Sequence, residues 1–263
     1  MQAGFLKKEV VVAAISVDAL EAKFKHGLTT CAALRSKPAD EEEPYVFRYE
    51  EREALQLLLK QAAANAAVEP NGADAARARV IGGVLECWLG INYMDTEEPG
   101  SGQARLERAI EALDIETAPA EAVRLIDALN HLGILWANRG ETERSLERLT
   151  RAEALHERLT GDGAAVATEL REGSEQLEDL HTLTCFYLAQ AYGNLGTRDR
   201  SAAYCHTTMM RQLGRRGGTA QGEHAFQVSW PRPRTWPRTR TWTWTWPRLR
   251  SWSWPWPRPW CWS

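Results

Sequence analysis

The chain has 263 residues, 44% of them hydrophobic and 25% charged, with a formal charge of −3, which suits a water-soluble globular protein long enough to bury a core. No segment approaches the roughly 18 apolar residues of a membrane span, and five cysteines, odd in number and widely spaced, do not form a disulfide framework and fit a reducing cytosolic setting. The near-neutral total hides two unlike parts: Ser229 to Ser263 holds ten of the 12 tryptophans, seven arginines and no acid, which leaves −10 on residues 1–228.

In chain order, VVVAAISV (Val10 to Val17) follows Lys7, Lys8 and Glu9 without a cleavage-site pattern, so it reads as a lead-in to a helix rather than a signal peptide. Apolar spacing then predicts helices over 18–35, 45–66, 73–94, 101–114, 119–138, 141–159, 167–195 and 198–213, with no competing strand alternation. The breaks between them are chemical. Lys37-Pro38 and Glu43-Pro44 end one helix and admit the next, Pro70-Asn71-Gly72 is a turn, and Gly161-Asp162-Gly163 is a hinge. Pro119 suits a first helical turn, with Glu121 just after it to favour the helix dipole. The expected organisation is a lead-in over 1–17, an all-α array over 18–213, a linker over 214–228 and a tail over 229–263.

Within the array, LNHLGILWANRGETERSLERLTRAEAL (Leu129 to Leu155) places Leu129, Leu132, Gly133 and Trp136 on one face of a first helix. Gly140 supplies a stop, and Ser145, Leu149 and Ala152 line a second helix. Large residues facing small ones let two antiparallel helices approach closely. The pattern recurs twice. ECWLGINYMDTEE carries Trp88, Leu89, Gly90 and Tyr93, and CFYLAQAYGNLGTRDRSAAYCHTTM carries Leu188, Ala189, Tyr192 and Gly196. These residues are the expected repeat core. The arrangement resembles the tetratricopeptide repeat, although the small residues are 43 and 56 positions apart, against a period of about 34. A TPR-like solenoid of antiparallel helix pairs with extended units is therefore expected.

Chemical sites weigh less than packing. His181 and Cys185 lie four apart on one helical face and Cys205-His206 follows on the next helix, so four soft donors could in principle meet a zinc ion. In the repeat register, however, Cys185 replaces Leu129 and Cys205 replaces Leu149, and no CxxC or HExxH spacing is present. The expectation is packing, with no metal. Nothing local marks an activated thiol or an oxyanion hole, GRRGG (Gly214 to Gly218) lacks the phosphate-cradling layout, and Asp40 to Glu43 reads as a solvated turn. No enzyme, cofactor or small-molecule substrate is expected.

The inner groove of a helical array is its usual binding surface, which singles out Asn130, Ile134, Asn138, Phe186, Gln190 and Asn194 as candidate partner contacts. Some TPR modules grip a peptide carboxylate with a lysine and an asparagine. The matching places here hold Cys87 and Ile91, Asn130 and Ile134, and Phe186 and Gln190, so a broad protein surface fits better than a chaperone tail. Prolines at 231, 233, 237, 247, 255, 257 and 259 bar helix from the tail, which is expected to have no fixed structure. The Thr-Trp alternation over Thr241 to Trp246 suggests a simple DNA repeat and a misread gene. The competing reading is a nucleic-acid or membrane-surface contact through arginine and tryptophan.

Three segments, Leu89 to Glu98 (LGINYMDTEE), Leu129 to Leu155 and Tyr187 to Leu213 (YLAQAYGNLGTRDRSAAYCHTTMMRQL), resemble consecutive segments of the KIF-binding protein family, the kinesin-binding adaptors. EEPYVFRYEEREALQLLL (Glu42 to Leu59) is similar to the same family's N-terminal region. The resemblance implies a cytoplasmic, cytoskeleton-associated, non-catalytic protein that binds kinesin motor domains and keeps them off microtubules, with consequences for organelle transport and neurite growth. An acidic body would steer toward a basic motor surface. No nucleic acid is expected as a partner. Family members continue through further helices beyond the position of Leu213, where this sequence turns to tryptophan, arginine and proline; a folded array without motor binding is the alternative.

Overall fold

The computed structural model describes residues 12–38, 42–113, 121–161 and 174–215. Among the described residues it is all-α: α1 (Val17–Ser36), α2 (Val46–Val68), α3 (Ala73–Asp95), α4 (Pro99–Ala112), α5 (Ala122–Asn138), α6 (Thr142–Thr160), α7 (Ser174–Asn194) and α8 (Arg198–Arg215). Most of these bounds fall within two residues of those expected from apolar spacing. The α4 helix begins at Pro99 rather than 101, because a proline in the first turn lacks only a donor that the helix would not have used. Pro119, the segment 167–173 and the tail over 229–263 lie outside the described residues.

Residues 12–16 do not join α1. Ser16 caps that helix by accepting the Ala19 N–H at 3.3 Å, and the segment leading to it is gripped by two amides of α2. Asn65 donates to the Ile15 carbonyl at 2.6 Å and accepts the Ile15 N–H at 3.3 Å, while Gln61 donates to the Ala13 carbonyl at 2.7 Å.

Chain neighbours pack as antiparallel pairs, α3 with α4, α5 with α6 and α7 with α8, and α1 with α2 ahead of them. The pairs then stack, since α2 meets α3, α4 meets α5 and α6 meets α7, and the first helices of successive pairs also touch. This is a solenoid.

Each of the last three pairs is closed by the same device. The small residue of the Leu-Gly or Leu-Ala step admits the partner helix: a Cβ on Gly90 would lie 2.6 Å from Leu106 Cγ, and one on Gly133 2.6 Å from Leu149 Cγ. In the third pair Ser201 donates its hydroxyl to the Ala189 carbonyl at 2.8 Å. Three residues beyond the small one stands an aromatic, Tyr93, Trp136 or Tyr192, whose carbonyl accepts the N–H of Glu98, Glu141 or Thr197 at 2.9–3.0 Å. The residue just before that donor adopts a left-handed conformation and bonds back to the carbonyl three residues earlier. It is Gly140 in the second pair and Gly196 in the third. In the first it is Glu97, with φ of 66°.

Leu89, Leu132, Leu188 and Ala152 are fully enclosed, Gly90 and Gly133 are buried, and Ala189 is 95% enclosed; Trp136 and Tyr192 are 8% and 9% exposed. Tyr93 and Trp88 are only half-buried. Trp88 precedes Leu89, so it projects about 100° round the helix from that core face. It lies instead beneath the guanidinium groups of Arg35 and Arg124, at 4.3 and 5.0 Å from its ring. The three repeat aromatics are roofed in the same way, Tyr93 by Arg52, Trp136 by Arg139 and Arg144, and Tyr192 by Arg200.

Candidate partner-binding surface and buried polar clusters

One of the six groove candidates is not at the surface. Asn130 is fully enclosed: its amide donates to the Leu180 carbonyl at 3.0 Å and its oxygen accepts the Thr184 hydroxyl at 2.8 Å, which latches α5 to α7. Enclosed and bonded at both ends, this amide is out of a partner's reach. Ile134 is half-buried, and Phe186 is half-buried with its ring edge-on to Tyr187. Asn138, Gln190 and Asn194 are exposed. The polar groups that α5 and α7 offer to solvent from this set are therefore those three. Cys87 is enclosed, and its thiol donates to the Arg124 carbonyl at 3.4 Å.

An open cleft at the start of α2 is lined by Glu43, Pro44, Tyr45, Val46, Tyr49, Glu50 and Glu53. Tyr49 is exposed, and Tyr45 donates its hydroxyl to Glu97 at 2.8 Å, which ties this patch to the turn between α3 and α4. Carboxylates beside an exposed ring suit a basic protein surface.

Behind the cleft runs a belt of charge that the sequence reading missed. Glu51, 0% exposed, accepts from Arg35, from Arg48 at 3.2 Å and from Asn92 at 3.0 Å. Arg52 donates to Asn92 at 2.9 Å, to Glu98 at 2.7 Å and to Thr96. Arg48 reaches Asp95 at 3.7 Å, where burial pushes the carboxyl above its usual range despite that arginine. On α5 the belt continues with Asp127, which lies 3.3 Å from Arg124 and 3.2 Å from His131 Nδ1. Burial works against both charges of the Asp127–His131 pair, but their attraction prevails. The aspartate is held below its usual range and the histidine above. One signal was available: Glu51 shares a helical face with Leu55, and Asn92 one with Leu85 and Leu89, polar groups on apolar stripes.

A different cluster sits between α6, α7 and α8. The His156 and His181 rings stack at 3.7 Å with 22° between their planes. Glu178 spans His156, at 3.3 Å, and Arg211. Burial lowers the pKa of His181 to about 3, with His156 adding to the effect, and burial pushes the Cys185 thiol up to about 11. Glu153, His181 and Cys185 bring one donor atom each within 4.8 Å of one another. His181 and Cys185 thus meet as the helical spacing suggested, but their companion is Glu153. Cys205, half-buried, and His206, exposed, take no part in that trio.

Among the described residues no helix is long and apolar enough to cross a membrane. No family model matches the chain, and no solved structure matches it. Curated proteins do. The KIF-binding protein of Gallus gallus is 35% identical over 201 residues, covering 70% of this chain and 33% of its own length. That of Homo sapiens is 36% identical over 160 residues, 56% of this chain and 26% of its own. That of Drosophila melanogaster is 32% identical over 190 residues, 65% of this chain and 32% of its own. The chain resembles the KIF-binding protein family, and its matched part spans about a third or less of these relatives' length.

Proposed function

Taking its resemblance to the KIF-binding proteins as the premise, we propose that this chain is a non-catalytic adaptor whose helical array binds a kinesin motor domain. The observation that carries the reading is the 35% identity to the chicken protein over 70% of the chain. The acidic body, at −10 over residues 1–228, favours a basic motor face through long-range attraction. The contact surface draws on the exposed Asn138, Gln190 and Asn194 and on the half-buried Ile134 and Phe186. Asn130 supports that surface from below by holding α5 to α7. In the cell this activity places the protein in the cytoplasm beside microtubules, regulating transport of organelles such as mitochondria and neurite growth.

Titration of a labelled motor domain with the full chain, at low and moderate salt and beside a full-length relative, tests the reading. Binding that weakens with added salt is expected, and it should be much weaker than the relative's, because losing even about 4 kcal/mol of contact is roughly a thousandfold in affinity. No binding at low salt would overturn the proposal and leave a folded array without a motor partner.

A further inference from the structure

The α6–α7 interface carries donors that the adaptor reading does not use. Among the described residues Glu153, His181 and Cys185 form a group whose ligand atoms all lie within 4.8 Å of one another. They come from two helices of different pairs, Glu153 from α6 and the other two from α7. His181 and Cys185 stand four apart and so project from one face of α7, the spacing by which a helix offers two ligands to one metal ion.

His181 points independently to a missing ligand. It is 7% exposed, and its enclosed Nδ1 has no hydrogen-bond partner. Native cores rarely leave such an atom unpaired. The ring cannot turn freely to find a partner, because His156 lies flat against it at 3.7 Å. Glu153 is oriented in turn: Tyr204 donates its hydroxyl to Oε2 at 2.8 Å, leaving the other carboxylate oxygen for a second bond. A hydroxyl bonded to a carboxylate in this way is the outer support that ligating carboxylates usually carry.

We propose that Glu153, His181 and Cys185 form a site for a borderline-soft divalent cation of the zinc class, clipping the second helix pair to the third. One oxygen, one imidazole nitrogen and one thiolate make a donor set suited to zinc and leave the fourth tetrahedral position to water. Bonds of about 2.0–2.3 Å put tetrahedral donors roughly 3.3–3.8 Å apart, so the trio closes on an ion by side-chain rotation of about 1 Å. Binding converts the Cys185 thiol to thiolate, and its proton leaves to solvent. The clip joins α6 to α7 on either side of residues 162–173, whereas Asn130 joins α5 to α7 by hydrogen bonds alone.

The test is titration of the untagged, chelator-treated full chain with Co²⁺, a spectroscopic substitute for Zn²⁺. Expected are a thiolate-to-cobalt charge-transfer band and intense visible bands of tetrahedral cobalt, saturating at one equivalent and displaced by Zn²⁺. Cys185→Ser should abolish the charge-transfer band and Glu153→Gln should weaken binding about 10- to 100-fold. Cys205→Ser should leave both unchanged. Circular dichroism checks that each variant is folded. Should Cys185→Ser fail to fold, alkylation of the native chain decides instead: Zn²⁺ should protect Cys185 at least tenfold, read by peptide mass, and leave Cys205 unprotected. Absence of the thiolate band, its persistence in folded Cys185→Ser, or no protection of Cys185 would overturn the site.

Discussion

The two ends of the helical array bury polar groups by opposite means. From α1 to α3, and on to α5, the polar interior is ionic: Glu51 is sealed among Arg35, Arg48 and Asn92, and Arg52 stretches across to Asn92 and Glu98. From α6 to α8 the interior holds stacked imidazoles whose pKa burial lowers, and a thiol and a carboxylate whose pKa burial raises. The ion pair between Glu178 and Arg211 in that region is open to water, with Glu178 45% exposed. Buried ionic pairing makes the first region intolerant of losing either partner, since an uncompensated buried charge costs far more than the pair contributes. The second region tolerates charge loss but depends on shape.

The sharpest test of this contrast compares two glutamates. Glu51→Ala should destabilise the chain by about 3–5 kcal/mol in urea denaturation, because it strands Arg35 and leaves Arg48 only the longer contact with Asp95. Glu178→Ala should cost under about 1 kcal/mol, since water already screens that pair. Equal losses would erase the distinction.

Packing supplies the next test. Trp136→Ala should cost about 3–5 kcal/mol by the same measurement, whereas Trp88→Ala, half-buried under arginines, should cost visibly less. A Trp88 loss as large as that of Trp136 would show that the arginine roofs contribute as much as enclosure.

A smaller effect concerns pH. The folded-state pKa of His131 is raised because Asp127, helped by Asp95, outweighs the cost of burial. Its contribution is therefore complete below the unfolded value of about 6.5 and is lost as pH rises through the higher folded value. Denaturation midpoints at pH 6 and pH 8 should differ less in His131→Gln than in the parent chain. An unchanged difference would remove His131 from the ionic belt.

The smallest effects lie in the turns. Gly140→Ala should cost about 1–2 kcal/mol, because alanine must then hold a left-handed backbone. Glu97→Ala carries no such backbone change and should cost only what the Tyr45 hydrogen bond contributes, about 1 kcal/mol or less. Matching melting curves for the two variants would contradict the shared turn geometry.

What the sequence disclosed was local. Helix spans follow from apolar spacing over one or two turns and from proline and glycine at the breaks, so the pairs and their close approach at Gly90 and Gly133 were readable directly. The ionic belt as a whole was not, because the bonds that tie its local pairs together join residues 40 or more apart, as from Arg52 to Asn92 and Glu98 and from Asn92 to Glu51. Asn130 shows the same limit. An asparagine on an inner helical face reads equally as groove or as latch until the next pair is placed, and here α7 arrives with Leu180 and Thr184 to enclose it. Likewise Glu153, on the mostly polar surface of α6, carries no local mark of its neighbours on α7.

The glutamate at the first turn has a consequence for how the sequence can drift. Positions 140 and 196 hold glycine at positive φ, so almost every single replacement there meets a backbone penalty, and selection for foldability alone would keep them narrow. Position 97 has already accepted that penalty. In exchange it gained a side chain, which anchors the turn to Tyr45 at the N-cap of the neighbouring helix. Most unbranched replacements at 97 face no new backbone penalty, so position 97, unlike its neighbours Thr96 and Glu98 that hold Arg52, is where variation in this turn costs the fold least. It is also beside the acidic cleft of α2, where altered side chains would alter the exposed surface. A mutational scan of positions 97, 140 and 196 should find the first permissive and the other two restrictive.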